Sequence, residues 1–358
     1  MKILFLTLGN RNPSTRFRVL QWIPILEKCG HRIYVQHAWP TLYYISKAFN
    51  FKGGRRTYSY IKLFLNLLSR VSALRNLDHY DLIFLQRQLL ENDLGFLEKF
   101  LFNKARHVIF DFDDAIFLDG LGNNSSRKEA YAKFVFSHAD CVIAGNTFLK
   151  NYASQYSSRV ELVPTCIDTF RYRPYSIQNQ KDRHDLIIGW IGTASNLKYL
   201  NQLANIFRKL TIRYQQLRLK IISDHQDPIL EFNGLPVDYI KWQDNLEIEF
   251  IRQFDIGIMP LENNDWSRGK CGLKLIQYLS CGVASVATKI GANLDIIESG
   301  KNGFLAQTEA DWLKYIERLI EDPQLRIEFA NNGRTKVERN YSIEAYKTKF
   351  INIIESIG

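Results

Sequence analysis

Short apolar runs of four to seven residues recur along this chain, separated by helix-length stretches, and they do so in two separate series. Such runs are long enough for buried strands and too short for helices, so each series predicts a parallel α/β sheet. In the first, Lys2 to Leu8 reads as a strand and Arg16 to Lys28 as a helix with Val19, Leu20, Ile23 and Leu26 on one face. Gly30 ends that helix and Pro24 predicts a kink within it. Strands are expected at Arg32 to Gln36, Asp81 to Leu85, His107 to Phe110 and Cys141 to Ala144. After Pro164 and Pro174, the polar stretch Ser176 to Asp185 has no periodicity and reads as a linker. A second series then starts, with strands at Leu186 to Ile191, Leu219 to Ser223, Tyr239 to Trp242, Ile256 to Pro260 and Ala284 to Ala287. Its helices are expected at Leu197 to Arg213 and Gly272 to Ser280. The fold class is therefore α/β, with two Rossmann-like domains. One spans residues 1–174 and the other 175–341, and the tail 342–358 is helix-like. Ligands of such sheets sit beyond the carboxyl ends of the strands, so two facing domains predict an interdomain cleft.

Charge narrows the partners. Residues 1–175 hold 24 basic and 14 acidic side chains, whereas residues 176–358 hold 23 of each, so the first half carries the whole net charge of +10. Between Glu27 and Asp78 there is no acidic residue, while Lys28, Arg32, Lys47, Lys52, Arg55, Arg56, Lys62, Arg70 and Arg75 are basic. The same window contains Trp39, Tyr43, Tyr44, Phe49, Phe51, Tyr58, Tyr60 and Phe64. Basic and aromatic residues together fit an anionic membrane surface, contacted without being crossed. No nucleic-acid motif accompanies them, so nucleic acid is not expected as a partner. No apolar run approaches the roughly 20 residues of a membrane span. The run after Met1-Lys2 stops at Gly9-Asn10-Arg11 without a cleavage site, which reads as a first strand rather than a signal peptide. Five scattered cysteines without a C-x-x-C pair suit a reduced, cytoplasmic chain, and the basic window suits a peripheral position on the inner face of the plasma membrane.

Two segments of the second series suit an anion. Leu186 to Ile191 ends in Gly192-Thr193-Ala194-Ser195-Asn196, with Lys198 just beyond; small residues there let backbone N–H groups approach a phosphate. An ordinary strand-to-helix turn, capped by Ser195 or Asn196, reads equally well. The segment from Asp265 to Gly282 is denser: Arg268, Lys270 and Lys274 surround Gly269 and Gly272 at the start of a short helix, an arrangement suited to a diphosphate. Trp242, at a strand end, either flanks a nucleotide base or belongs to the core. In the first series, Arg16 and Arg18 follow the loop after the first strand and are candidates for holding an anionic acceptor, with Gln86-Arg87 a weaker pair of the same kind. Asp111-Phe112-Asp113 has D-x-D spacing, which suits a metal only in a different, single-domain fold. The seven histidines show no ligand spacing, and no metal site is expected.

Pro260-Leu261, Gly272-Leu273-Lys274-Leu275-Ile276-Gln277, Cys281-Gly282, Gly291-Ala292-Asn293, Gly300 to Leu305, Gly333-Arg334 and Tyr341-Ser342 resemble the C-terminal domain of the retaining family 4 glycosyltransferases (glycosyl transferases group 1). In the first half, Gly30 to Ile33, Ala139 to Ala144 and Val163 to Asp168 are similar to the same family, so the likeness spans most of the chain. It implies the GT-B fold, a tail 342–358 that returns to the first domain as a helix, and transfer of a hexose from a nucleotide-sugar donor, best matched by UDP-glucose or a similar UDP-hexose. The implied acceptor is lipid-linked or an oligosaccharide, and the implied setting is cell-surface polysaccharide synthesis. Gly192, Thr193, Trp242, Arg268, Gly272, Leu273, Lys274 and Gln277 are the expected donor contacts. Lys198 and Lys270 are expected to stabilise the leaving diphosphate without a metal or other cofactor. Relatives carry two glutamates eight positions apart, where this chain has Gly269 and Gln277; the second normally binds the ribose, a contact that an amide makes more weakly. Thr193 stands where an Arg is usual. Asp113 stands at a family His and is expected to position the sugar or acceptor hydroxyl or to act as base, with Asp114 its substitute if the alignment slips by one. The lost carboxylates leave a second reading open, a weakened sugar-nucleotide-binding subunit that needs a partner; a sugar-nucleotide epimerase of the same fold is a third.

Overall fold

The computed structural model describes residues 1–38, 66–90, 95–174, 185–224 and 228–357. The expected linker, apart from Asp185, and the aromatic residues from Trp39 to Phe64 of the basic window lie outside the described residues. The chain divides into two compact units, Met1–Thr165 with Tyr346–Gly358, and Cys166–Ala345.

The first unit is built on β1 (Lys2–Thr7), β2 (Arg32–His37), β3 (Leu82–Gln86), β4 (Val108–Phe112), β5 (Cys141–Ala144) and β6 (Val160–Leu162), in the order β2-β1-β3-β4-β5-β6. All its pairs are parallel. β3, β4 and β5 are buried along their whole length, the reason they read as unbroken apolar runs. The helix expected over Arg16 to Lys28 is instead broken: Pro13–Arg18 is helical, Leu20–Trp22 is a 3₁₀ turn, and Ile23–Lys28 is a second helix. Pro24 starts that second piece rather than kinking a long one, because proline suits a first helical turn and not an interior. Residues Tyr346–Gly358 belong to this unit, where Phe350 stacks on Trp22 with ring centroids 4.5 Å apart.

The second unit is built on β7 (Leu186–Ile191), β8 (Leu217–Ser223), β9 (Val237–Lys241), β10 (Ile256–Met259), β11 (Ala284–Thr288) and β12 (Phe304–Ala306), again all parallel, in the order β12-β11-β10-β7-β8-β9. Two of the edge strands, β6 and β12, three residues each, are additions to the strands expected from sequence. Strand order reverses between β7 and β10, and in the first unit between β1 and β3. Ligands of open parallel sheets bind at such points, beyond the carboxyl ends.

Residues Cys166–Pro174 count with the second unit, upstream of the boundary expected after residue 174. The reason is their anchoring: Ile167 N–H donates to the Tyr341 carbonyl at 2.8 Å, and the Arg334 guanidinium donates to the Thr169 carbonyl at 2.8 Å and to the Tyr172 carbonyl. After β7 comes a ten-residue 3₁₀ helix, Ala194–Leu203, and only then the α-helix Ala204–Arg213.

At the reversal point Gly257 of β10 is in register with Gly189 of β7. A Cβ at Gly189 would lie 2.0 Å from the Phe254 ring, and one at Gly257 2.5 Å from the ring of Tyr278. These rings meet edge to face, centroids 5.8 Å apart, filling the slot the glycines leave. Overpacking of this kind costs about 1–3 kcal/mol. Gly257→Ala is accordingly expected to lower the unfolding free energy by about that amount in chemical denaturation. An unchanged midpoint would mean that Tyr278 is not confined by the sheet.

Candidate functional site

The helix Leu273–Ser280 lies between β10 and β11 in the chain and carries the densest of the expected site residues. Gly272, at its N-cap, adopts φ 69°, and a Cβ there would lie 2.2 Å from Ile296 Cδ1, so both backbone conformation and space require glycine. No side chain caps this end and its first turn has no acidic residue. A helix N-terminus presents backbone N–H groups and the positive end of its dipole, and nothing of opposite charge in the turn offsets it here. The Tyr278 hydroxyl accepts from Ile191 N–H at 3.1 Å and so fixes the helix to the last residue of β7. Burial pushes the Tyr278 phenol well above its ordinary pKa, so it stays neutral.

Lysines flank this end. Lys274 has its ammonium 5.5 Å from the Trp190 ring centroid, and a Cβ at Gly192 would lie 2.8 Å from its Cε. Gly192, half-buried at the end of β7, thus leaves the space that the Lys274 stem occupies. Lys270, also half-buried, places its ammonium 5.0 Å from the centroid of Trp266. Arg268 is exposed and held by Asp265 and by Asn263 Oδ1, the latter at 3.3 Å. Gly291 (φ 50°) packs against the backbone of Arg268, where a Cβ would lie 2.9 Å from the Arg268 Cα, which gives the Gly291-Ala292-Asn293 run its packing role.

The turn after β7 is different. Its Ala194 N–H already donates to Asp224 Oδ1 at 2.8 Å, while Thr193 Oγ1 accepts from Asn196 Nδ2 at 2.8 Å. A carboxylate therefore occupies the N–H that the sequence reading offers to phosphate, and a 3₁₀ turn follows in place of an α-helix. Lys198 is exposed on that turn, 5.2 Å from the ring of its neighbour Tyr199.

Gln277 and Trp242 lie in a cluster that the sequence does not announce. Glu247, 4% exposed, accepts from Gln277 Nε2 at 2.8 Å, from Trp242 Nε1 at 2.7 Å and from the Tyr172 hydroxyl at 2.5 Å. The one sequence signal that points to it is indirect: an amide at 277, where relatives carry a carboxylate, suits a carboxylate placed nearby.

In the first unit, the ends of β1, β3 and β4 bring Ser14, Thr15, Gln86, Arg87 and Asp111 to adjacent positions. The expected role of Arg18 as an acceptor contact does not hold. Its guanidinium is 3% exposed, grips both carboxylate oxygens of Asp111 (Nε–Oδ2 2.8 Å) and donates to the Val163 carbonyl at 3.0 Å. Burial pushes the Asp111 carboxyl above the ordinary range, against the pull of Arg18. Asp111 is therefore engaged by a guanidinium. Gln86, buried, is fixed by Thr15 Oγ1 and Ser14 Oγ, each at 2.8 Å. Arg16, Asp113 and Asp114 are half-buried, and Asp114 pairs with Arg87 at 3.1 Å. Arg87 holds φ 64°, a left-handed conformation unusual for arginine, at the end of β3. Arg70, counted in the basic window, is fully buried and donates to the carbonyls of Thr7, Gln36 and Leu89, and burial lowers its pKa to about 9. It contributes nothing to a surface. Among the described residues no His, Cys, Asp and Glu side chains gather as a metal-ligand set, and no helix is long and apolar enough to cross a membrane.

Residues 185–322 match the family model described as Glycosyl transferases group 1. The second unit is a group 1 glycosyltransferase domain. Capsular polysaccharide biosynthesis glycosyltransferase CapM of Staphylococcus aureus is 22% identical over 169 residues, which cover 44% of this chain and 43% of CapM. The match thus spans less than half the length of that relative. Among solved structures, sucrose-phosphate synthase from Thermosynechococcus elongatus superposes with a TM-score of 0.76 at 16% identity, covering 99% of each chain. HepE of Anabaena, in complex with UDP and glucose, superposes with a TM-score of 0.70 at 16% identity, covering 100% of each. The fold is GT-B.

Removing one partner of a buried ion pair costs about 3–5 kcal/mol. Arg18→Ala is expected to destabilise by about that amount in a denaturant titration, and Arg16→Ala, at a half-buried position, by less. Equal, small effects would return Arg18 to the list of ligand contacts.

Proposed function

We propose that this chain transfers a hexose from a nucleotide-sugar donor, a UDP-hexose such as UDP-glucose, to a lipid-linked or saccharide acceptor with retention of configuration. The observation that carries this reading is the N-terminus of the helix Leu273–Ser280, uncapped by any side chain and flanked by Lys270 and Lys274, inside a group 1 glycosyltransferase domain. HepE was solved with UDP-glucose, which supports a uridine donor. The name of CapM supports a role in polysaccharide assembly. The basic excess of the first half, less Arg70, suits an anionic lipid surface on the cytoplasmic side.

Transfer requires that negative charge building on the leaving diphosphate be stabilised while the sugar becomes oxocarbenium-like. The N–H groups at Leu273 and Lys274 and the ammonium groups of Lys270 and Lys274 do this, with Lys198 and Arg268 as further cations and no metal required. Gly192 admits the Lys274 stem, and Thr193 lines the same strand end. Asp113 positions a sugar or acceptor hydroxyl or takes its proton, Asp114 stands beside it on Arg87, and Arg16 contacts an anionic acceptor. Where Asp113 only positions the hydroxyl, the leaving phosphate takes the acceptor proton on the same face, so no pair of carboxylates is needed. Gly269 and Gln277 favour the second reading, a binding subunit of low turnover.

The test is nucleoside-diphosphate release from UDP-, GDP-, ADP- and dTDP-sugars, with and without EDTA. Slow release from one donor, unaffected by EDTA, is expected, with Lys270→Ala and Lys274→Ala each slowing turnover by about 10²–10³-fold. Binding without any release supports the subunit reading, and full turnover in both variants contradicts the proposed diphosphate site.

A further inference from the structure

Gln277 and Glu247 come from different elements, Gln277 from the second turn of the helix Leu273–Ser280 and Glu247 from the start of the short helix Glu247–Ile251. Each is 4% exposed. Glu247 accepts from the Tyr172 hydroxyl, the Trp242 indole and Gln277, so the amide facing it presents its nitrogen, with Nε2 2.8 Å from Glu247 Oε1. The Gln277 carbonyl oxygen Oε1 is thereby turned away from Glu247. The Tyr172 hydroxyl and the Trp242 indole, each donating to Glu247, hold the carboxylate in place from two other segments. Side chains on a helix tilt toward its N-terminus, and Gln277 stands one turn below Leu273. Its amide is thus directed toward the end at which the diphosphate is proposed to bind.

We propose that Glu247 is a positioning residue that locks Gln277 with Oε1 as the acceptor for a hydroxyl of the bound nucleotide sugar, so that position 277 must be an amide because the carboxylate of this cluster stands at 247. The inference rests on the donor-site reading above. A carboxylate at 277 would stand within hydrogen-bond distance of a second buried carboxylate, and two negative charges there repel. Protonation of one carboxyl removes the repulsion, and that proton is lost as pH rises toward neutral.

The experiment measures the affinity of the full chain for UDP, GDP, ADP and dTDP by calorimetry, and repeats the tightest case with Gln277→Glu, Glu247→Gln and the double exchange Glu247→Gln/Gln277→Glu. Circular dichroism checks that each variant is folded. Gln277→Glu is expected to bind at least about tenfold more weakly near neutral pH and to recover as the solution is made mildly acidic, because protonation of one carboxyl removes the repulsion. The double exchange, which restores one carboxylate and one amide, is expected to bind near neutral pH as the wild type does. A purely structural cluster would change melting temperature and leave the affinity of the folded protein unmoved. Wild-type affinity in Gln277→Glu near neutral pH, or a double exchange that folds and binds no better than Gln277→Glu, overturns the inference while leaving the donor site intact. If Gln277→Glu does not fold, the double exchange decides alone, in the same two directions. A wild-type chain that binds none of the four nucleotides overturns the donor-site reading, and this inference with it.

Discussion

Two glycines side by side on neighbouring strands determine where the second unit can hold a ligand. Gly189 and Gly257 share a register position on β7 and β10, and the slot they leave is filled by Phe254 and Tyr278. Tyr278 belongs to the helix whose N-terminus forms the candidate diphosphate site, and its hydroxyl accepts from the last backbone N–H of β7. A larger residue at either glycine would push an aromatic ring outward and tilt that helix away from the strand ends. The position of Lys274 depends on the same constraint, since its stem lies where a side chain at Gly192 would be.

The charges divide between structure and surface in a way that bears on function. Arg18 and Asp111 neutralise each other inside the first unit, and Arg70 satisfies carbonyls at the ends of its strands. Asp224 occupies the turn after β7. The buried charges of Arg18, Asp111 and Arg70 are stable only with such partners. The uncapped helix end at Gly272 is different: its cap is a glycine, its first turn has no acid, and Lys270 and Lys274 are each half-exposed beside aromatic rings. That contrast selects one of two turns which look alike as sequence.

Most strands were legible because burial on both faces leaves continuous apolar runs; Leu186–Ile191 and Cys141–Ala144 match the sequence reading residue for residue. β6 and β12 were not, because three-residue edge strands carry too little pattern to stand out. The glycines and basic residues around Gly272 pointed to the candidate site, since both residue types are needed there for physical reasons. Arg18 looked like Arg16, because a guanidinium two residues away on a short helix has no sequence mark of burial; only the fold brings Asp111, distant in the chain, against it. Glu247 was illegible for the same reason, its partners being Tyr172, Trp242 and Gln277, on three separate segments.

The most direct measurement is amide hydrogen exchange of the full chain with and without a saturating nucleoside diphosphate, tried with the uridine, guanosine, adenosine and thymidine forms. The account predicts slowed exchange at residues 272–275 with at least one of them, and no change at 193–196, where Asp224 already engages the Ala194 N–H. Protection confined to 193–196, or none at 272–275 with any nucleotide, would contradict it.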